Sequence, residues 1–354
     1  MNTKKFLAFR KPLLMSAWLL AMHGAAFAQN LRETFSSPNG KIEWKAEGEV
    51  NKVKAFDITY RDASEGGKES QVLHITGYGL NTSDGGGRNL VLKDISKPKY
   101  ISEHYLMLLG KKSECKNEAN EIVYTFEDDL QRPLRMVVRL YNDGVAFRYE
   151  LEGLQHTSIR QDLTTYHISE GTRRWFQEWT ESYENFFPLS TTGKGGKQHW
   201  GYPCLFEQNN VFALITEAGI ERINSASSLK NEQNPEDYHV FLDANTQHYS
   251  GSWNTPWRVV LIGKKKDLIA STLVTDVSAP CCLKDTSWIK PGSVSWIYWA
   301  YNHGSNDLNI IKKYVDMAKT LHLPYVLIDA EWDEMKNGAT IEEALKYAKD
   351  RGVK

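Results

Sequence analysis

Two short segments near the end of the printed chain combine aromatic rings with side chains that can hold or transfer a proton. They are residues 296–304 and 328–334. A sugar ring needs both kinds of group, because its hydroxyls bond to carboxylates and amides while its CH face packs on an aromatic ring. We nominate four substrate-binding residues in these segments: Trp299, His303, Asp329 and Glu331.

Asp329 is the sharpest of these candidates because it ends the apolar run 325–328. A carboxylate at that position is costly to bury without a partner. A site residue explains its presence, and so does a structural salt bridge or a cap on the following loop. Asp333 and Glu334 read more simply as part of a solvated loop.

A third segment, residues 175–185, places Glu178, Glu181 and Glu184 among aromatic residues. Carboxylate oxygens are ligands that Ca²⁺ prefers, but the ion takes six to eight oxygens and the spacing here matches no metal-binding loop. From the residues alone, a surface charge cluster is the simpler interpretation, and Glu184 does not stand out from the other two.

The elements that position the first two segments follow Pro291-Gly292. Residues 293–300 have the composition of a strand, residues 306–322 carry apolar side chains at helical spacing, and residues 325–328 form a buried parallel strand. Thr340 and Glu343 predict a capping box that opens a second helix, and Gly352 predicts its end. We interpret these elements as the first two βα units of a (β/α)₈ TIM barrel, with a doubly wound sheet as the alternative. In a barrel, the site lies where strands end and βα loops begin.

The preceding residues, about 30–278, alternate β-branched or aromatic runs with turn clusters and predict a large β-sandwich. The clearest hairpin joins residues 135–141 to 145–149 through Asn142-Asp143-Gly144, which tolerate positive φ. The predicted organisation is a signal peptide at 1–28, an N-terminal β-super-sandwich at 29–285 and the start of a catalytic barrel at 286–354.

A complete barrel needs about 250 residues, far more than follow Pro291. We therefore expect the chain to be a fragment that ends within the barrel. A natural domain of two βα units is the alternative, but its parallel sheet would keep an open edge and one bare face.

Composition narrows the choice of partner. The 43 Lys and Arg residues nearly balance the 44 Asp and Glu residues, so no net charge favours nucleic acid or an anionic membrane surface. The apolar fraction of 41% indicates a folded chain. The four cysteines have no metal-type spacing and predict buried thiols or at most one incidental bridge.

The first residues resemble an export signal. Four basic side chains lie within the first eleven residues, an apolar run follows at 13–21, and Ala26-Phe27-Ala28 precedes Gln29. The apolar run is too short for a membrane anchor, and no later segment is long enough to span a bilayer. We predict an exported protein, periplasmic or associated with the outer membrane.

Several motifs, taken in order, resemble glycoside hydrolase family 97, a family found largely in Bacteroidetes. They are Ser37-Pro38-Asn39-Gly40, residues 141–149, Glu181-Ser182-Tyr183-Glu184, Thr216-Glu217-Ala218, Thr255-Pro256-Trp257-Arg258 and Leu327-Ile328-Asp329-Ala330. The resemblance covers nearly all of the mature chain. It implies a super-sandwich, a (β/α)₈ barrel and a small C-terminal β domain. It also implies release of terminal α-linked glucose or galactose from oligosaccharides with the help of Ca²⁺.

Transferred residue by residue, the resemblance makes Glu184 a calcium ligand that the N-terminal domain lends to the barrel site, with Tyr183 in the same motif. The other calcium glutamates, the catalytic acid and the nucleophile or base match no position in this chain, and the resemblance implies that they lie beyond Lys354. Residues 296–303 depart from the first-strand sequence of the best-known glucosidases, so the sequence leaves open both the sugar and the choice between inversion and retention.

Two other functions remain open at this stage. One is a non-catalytic carbohydrate-binding β-sandwich, in which residues after 286 are a linker. The other is a sugar epimerase or mutarotase, which requires a histidine and a carboxylate that converge on a concave sheet face.

The export prediction is tested by sequencing the amino terminus of the secreted protein. It should begin within a few residues of Gln29, because Ala26-Phe27-Ala28 is the one good cleavage box in the region. A mature protein that retains Met1 would contradict the prediction.

Overall fold

The computed structural model describes residues 30–62, 66–298 and 304–354 and divides into two compact units. The first unit contains the described residues up to Ile101 together with Glu118–Leu273, and the second contains Ser102–Asn117 and Val274–Lys354. The proposed signal peptide lies outside the described residues. The boundary we place between residues 285 and 286 remains a prediction.

Antiparallel strands dominate the first unit, and short βα elements end the second. The strands are β1 Asn30–Ser36, β2 Ile42–Glu49, β3 Lys52–Asp62, β4 Lys68–Gly77, β5 Leu80–Thr82, β6 Val91–Ile95, β7 Lys99–Leu106, β8 Glu114–Glu127, β9 Pro133–Tyr141, β10 Gly144–Thr157, β11 Ile159–Asp162, β12 Thr165–His167, β13 Arg173–Glu178, β14 Leu189–Ser190, β15 His199–Gln208, β16 Val211–Ala218, β17 Ser227–Lys230, β18 Asp237–Leu242, β19 Tyr249–Asn254, β20 Trp257–Gly263, β21 Val294–Trp296 and β22 Tyr325–Leu327. The helices are α1 Lys265–Ala270, α2 Leu273–Asp276, α3 Leu308–Thr320 and α4 Ile341–Asp350, with 3₁₀ turns at Gly304–Asn306 and Lys336–Gly338.

The strands of the first unit form two layers. One layer runs β1-β2-β3-β4-β12-β18-β17, and the other runs β6-β8-β9-β10-β20-β16. Strand β15 joins them, since its first residues pair with β17 and its last residues pair with β16. The described residues therefore contain a large antiparallel β-sandwich, which confirms that part of the predicted fold.

The sandwich core follows from the alternation of side chains along each strand. On β2, Trp44 is fully buried between Ile42 and Ala46. Its indole Nε1 donates to the hydroxyl of Tyr124 on β8 at 3.2 Å, and its ring lies 5.8 Å from that of Phe147. Both partners belong to the opposite layer, and burying each such aromatic ring contributes about 1.5–3 kcal/mol.

A buried ion-pair network lies at one end of this core. Arg258 on β20 is 1% exposed and donates to Asp162 at 2.9 Å and to Glu217 at 2.5 Å. Ser227 also donates to Glu217, at 2.7 Å. Burial opposes the charge of Arg258, but the facing carboxylate of Asp162 raises the pKa of the guanidinium above its usual range. The network thus ties β20 to β11, β16 and β17.

The segments that carry the family resemblance meet in this sandwich. Strand β10 pairs with β20, so that Phe147 lies opposite Arg258. Thr255 accepts from the backbone N–H of Tyr149 at 3.0 Å. Asn39 donates its backbone N–H to Asn142 at 2.9 Å. These motifs therefore hold the scaffold together.

The hairpin between β9 and β10 is present as predicted, but its turn does not use positive φ. None of Asn142, Asp143 and Gly144 is in the left-handed region. The glycine is required for another reason: a Cβ on Gly144 would lie 2.4 Å from the carbonyl oxygen of Val260 on β20.

In the second unit, β21 and β22 are parallel, with Val294 opposite Tyr325 and Trp296 opposite Leu327. Helix α3 packs its buried residues against them. Helix α4 begins with the predicted capping box between Thr340 and Glu343, and Gly352 follows its end with φ +72°. Two βα units are therefore present.

Three features differ from expectation. The first parallel strand covers Val294–Trp296, which is shorter than predicted. Leu327 on β22 is 38% exposed, because β21 is the only strand beside it in the described residues. Cys115 and Cys204 are buried thiols as predicted, whereas Cys281 and Cys282 are exposed, and all four are free.

Across the described ranges, the structure contains no helix of the length and apolarity needed to cross a membrane.

The buried network predicts the cost of removing its cation. Arg258→Met leaves two carboxylates in the core without their partner, so the free energy of unfolding should fall by about 3–5 kcal/mol. Urea unfolding followed by circular dichroism measures the change. Arg173→Met is the matched control, because Arg173 pairs with Glu207 at 2.7 Å but its side chain is 52% exposed. Equal effects of the two substitutions would contradict a structural role for the network.

Candidate functional site

The first candidate site lies at the carboxyl ends of β21 and β22, within the second unit. The indole of Trp296 donates to Asp329 Oδ2 at 2.8 Å. The other carboxylate oxygen accepts from the backbone N–H of Ala330 at 2.7 Å, and the N–H of Asp329 donates to Ser305 at 2.8 Å. Asp329 thus caps its own loop and fixes the indole of the neighbouring strand. It forms no ion pair within the described part of the chain.

Glu331 lies on the same loop in an unusual backbone conformation. Its φ of +68° places a residue other than glycine in the left-handed region, which costs about 1–2 kcal/mol. Its carboxylate accepts from the amide of Asn306 at 2.9 Å. Backbone strain of this kind clusters at functional sites, where the surroundings hold it in place.

Two buried polar atoms of the second unit lack a hydrogen-bond partner among the described residues. They are Asn306 Oδ1 and Ser295 Oγ, on residues that are 6% and 2% exposed. A buried acceptor without a donor costs about 1–3 kcal/mol. Both atoms therefore need a partner that these residues do not supply, such as a buried water.

The structure brings two of the four nominated residues together. Asp329 and Glu331 lie on one loop, whereas Trp299 and His303 lie outside the described residues. Asp333 and Glu334 are exposed, as expected for a solvated loop.

Three residues that bond to this loop were not nominated from the sequence, namely Trp296, Ser305 and Asn306, although Trp296 begins the candidate segment 296–304. The turn signal Gly304-Ser305-Asn306 directly before a helix could have drawn attention to the last two.

The second candidate site is the loop after β13, in the first unit. The buried Gln177 accepts from the backbone N–H of Asn185 at 3.1 Å, and Ser182 accepts from that of Glu184 at 3.3 Å. Tyr183 has a φ of +55°. Glu184 is exposed, and its carboxylate has no partner in the described part of the chain. The carboxylate of Glu184 is therefore exposed on a loop whose backbone is held by two hydrogen bonds.

The three glutamates of this segment are not equivalent. Glu178 accepts from the backbone N–H of Lys197 at 3.2 Å and so fixes a neighbouring loop. Glu181 is exposed and, like Glu184, has no partner for its carboxylate among the described residues. Glu178 therefore already has a structural role, which no described contact gives to the other two.

A calcium ion fits Glu184 only as one ligand among several. Carboxylate oxygens suit the ion, but it takes six to eight of them. The described residues contain no group of three or more His, Cys, Asp or Glu side chains placed to hold a metal. Glu184 can therefore supply one ligand to a calcium ion, but the described residues do not supply the rest of its coordination shell.

A cleft of about 270 Å³ adjoins the Glu184 loop. Its lining mixes rings with polar groups and includes Phe176, Trp200, Asn185 and Phe186. Phe186 is 86% exposed, which is unusual for a large apolar side chain. The first unit therefore offers a flat aromatic face beside the free carboxylate.

A histidine and a carboxylate do converge on the first layer, as a mutarotase would require. His167 Nδ1 lies 2.8 Å from Asp237 on the adjacent strand. The two groups bond to each other directly, however, and leave no space for a sugar between an acid and a base. This pair therefore does not form the acid–base arrangement that a mutarotase requires.

Comparison with known proteins agrees with the fold and the motifs. Residues 35–280 match the family model described as glycosyl-hydrolase 97 N-terminal. A probable retaining α-galactosidase of Streptomyces bingchenggensis is 28% identical over 360 residues, covering 96% of this chain and 55% of that protein. A retaining α-galactosidase of Bacteroides thetaiotaomicron is 23% identical, covering 84% of this chain and 50% of that protein.

Solved structures share the fold at lower identity. A β-arabinopyranosidase superposes with a TM-score of 0.76 at 22% identity, covering 91% of this chain and 54% of that one. A glycoside hydrolase family 97 enzyme from Pseudoalteromonas sp. strain K8, solved with acarbose, gives 0.74 at 21% identity and covers 91% and 53%. The chain spans about half the length of the relatives it matches. Because the family model covers most of its residues, the chain belongs to glycoside hydrolase family 97.

Proposed function

We propose that this chain is part of an exo-acting glycoside hydrolase that releases terminal α-linked galactose or glucose from oligosaccharides. The observation that carries the proposal is the polar cluster around Asp329 at the carboxyl ends of β21 and β22. Barrel enzymes place their substrate-binding residues at this edge. Family membership and two relatives named as α-galactosidases support the reaction class.

The groups at this edge suit sugar hydroxyls, each of which can donate and accept a hydrogen bond. The unpartnered Oδ1 of Asn306 can accept from a hydroxyl. Asp329 and Glu331 hold acceptor oxygens in fixed positions, because Trp296 and Asn306 already bond to them. We assign binding roles to these residues and extend the proposal to Trp299 and His303.

The bond cleavage itself requires two carboxyl groups. One protonates the leaving oxygen, and the other either activates water or attacks the anomeric carbon. A separation of about 5–5.5 Å gives retention, and about 6.5–9.5 Å gives inversion. The names of the two curated relatives favour retention for this chain. We assign neither catalytic carboxyl to this chain.

The proposed enzyme also binds Ca²⁺, with Glu184 as one of the ligands. The free, exposed carboxylate of Glu184 on its fixed loop supports this role. When bound, the ion would stabilise negative charge near the leaving group. The basic residues at the amino terminus and the cleavage box Ala26-Phe27-Ala28 support export to the periplasm or the outer membrane.

A non-catalytic carbohydrate-binding role is the second candidate, and the exposed Phe186 beside its cleft favours it. An aromatic face of this kind can bind a sugar ring without cleaving a bond. The two candidates differ in turnover, which the next experiment measures.

The reaction is tested with p-nitrophenyl α-galactoside, α-glucoside and β-L-arabinopyranoside. A protein that continues this chain through a whole barrel should hydrolyse at least one of them, whereas residues 1–354 should show no turnover above the blank. Turnover by 1–354 would show that the catalytic carboxyls lie within it. Binding without turnover by the longer protein would favour the carbohydrate-binding role.

The calcium ligand is tested in the same longer protein. Glu184→Gln keeps the shape of the side chain but removes its charge, so both calcium affinity and activity should fall by about ten-fold or more. Glu181→Gln is the matched control, because it is equally exposed and three residues away. Calcium titrations of activity compare the two. Identical titration curves for the two variants would show that Glu184 is not a calcium ligand and would favour the interpretation of residues 175–185 as a surface charge cluster.

A further inference from the structure

A row of four side chains crosses the first layer of the sandwich and is not used by the proposed reaction. Strand pairing places Asp57 on β3 opposite His74 on β4, His74 opposite His167 on β12, and His167 opposite Asp237 on β18. The order across the sheet is therefore Asp-His-His-Asp. All four side chains are partly exposed, by 16–35%, so solvent and small ions can reach them.

Each histidine is bonded to the aspartate on its outer side. His74 Nδ1 lies 2.7 Å from Asp57 Oδ1, and His167 Nδ1 lies 2.8 Å from Asp237 Oδ1. The two imidazole rings lie between these pairs in an edge-to-face arrangement, with centroids 6.3 Å apart and planes at 87°.

The hydrogen bonds select which nitrogen remains available. Nδ1 of a neutral imidazole donates its proton to the carboxylate, which leaves the lone pair of Nε2 free. Nδ1 and Nε2 lie on opposite edges of the ring, so Nε2 of both His74 and His167 lies on the edge turned away from the aspartate. Nε2 of His74 and of His167 therefore has no hydrogen-bond partner among the described residues.

The aspartates are themselves fixed. Gln71 donates to Asp57 at 2.6 Å, and Asn234 donates to Asp237 at 2.6 Å. A carboxylate that orients a histidine through Nδ1 while Nε2 binds a metal is the usual outer arrangement of protein zinc sites. Here that outer arrangement is already formed on both sides.

We propose that His74 and His167 form a surface site for a borderline transition-metal ion, with Zn²⁺ as the probe, and that water completes the shell. Imidazole nitrogen suits Zn²⁺, which is bound at about 2.0–2.1 Å. The site has two protein ligands, consistent with the absence of any three-residue group in the described ranges. A bound ion would cross-link β4 and β12, and would stabilise the folded sandwich by mass action.

The test uses the printed chain without an affinity tag, carrying Cys281→Ser and Cys282→Ser, because these exposed thiols would bind the same ion. Isothermal titration with Zn²⁺ at neutral pH should give one ion per chain and a higher melting temperature. His74→Gln and His167→Gln should each weaken binding by at least about ten-fold. Asp57→Asn should weaken it by about 10–100-fold, because it removes the charge that orients the ring.

A second histidine pair supplies the matched control. His156 and His248 stack at 4.4 Å with planes at 12°, but neither bonds to a carboxylate in the described residues. The double variant His156→Gln/His248→Gln should bind Zn²⁺ like the starting protein. Circular dichroism checks that each variant is folded.

Two results would overturn the proposal. One is an unchanged affinity for Zn²⁺ in the folded His74→Gln and His167→Gln variants, whether or not the ion then binds at His156 and His248. The other is a starting protein that shows no saturable Zn²⁺ binding, in which case the two His–Asp pairs serve only to join neighbouring strands.

Discussion

The buried charge of Arg258 is the constraint on which the sandwich depends. A guanidinium that is 1% exposed can stay in the core only if carboxylates face it, and Asp162 and Glu217 meet that need from two other strands. Glu217 and Arg258 both lie in motifs of the family resemblance. Through these two residues the motifs contribute to a buried ion pair that ties β20 to β11 and β16.

The candidate sites depend on a different constraint, which is backbone strain. Glu331 and Tyr183, the neighbour of Glu184, both have positive φ in loops that leave a strand. Each loop is held by a buried amide side chain, Asn306 in one and Gln177 in the other. These hydrogen bonds stabilise the strained backbone of each loop, and each loop carries a carboxylate.

The outer face of the first layer shows how an antiparallel sheet can assemble a site from distant residues. Asp57 and Asp237 belong to strands far apart in the chain, yet two histidines lie between them in one lateral row. No local motif encodes such a row, because cross-strand register sets it. The same face contains the His167–Asp237 pair, whose direct bond argues against a mutarotase and favours an orienting role for the carboxylate.

The sequence by itself determined the features whose cause is local: the alternating strands, the hairpin between β9 and β10, the capping box at Thr340 and the end of α4 before Gly352. It also placed Asp329 at a strand end, because a carboxylate after an apolar run is a local signal. Only the tertiary structure decided the partners. Arg258 lies 41 residues from Glu217 and 96 from Asp162, and Trp296 lies 33 from Asp329. Such bonds depend on strand register and packing between layers, which no spacing along the chain specifies.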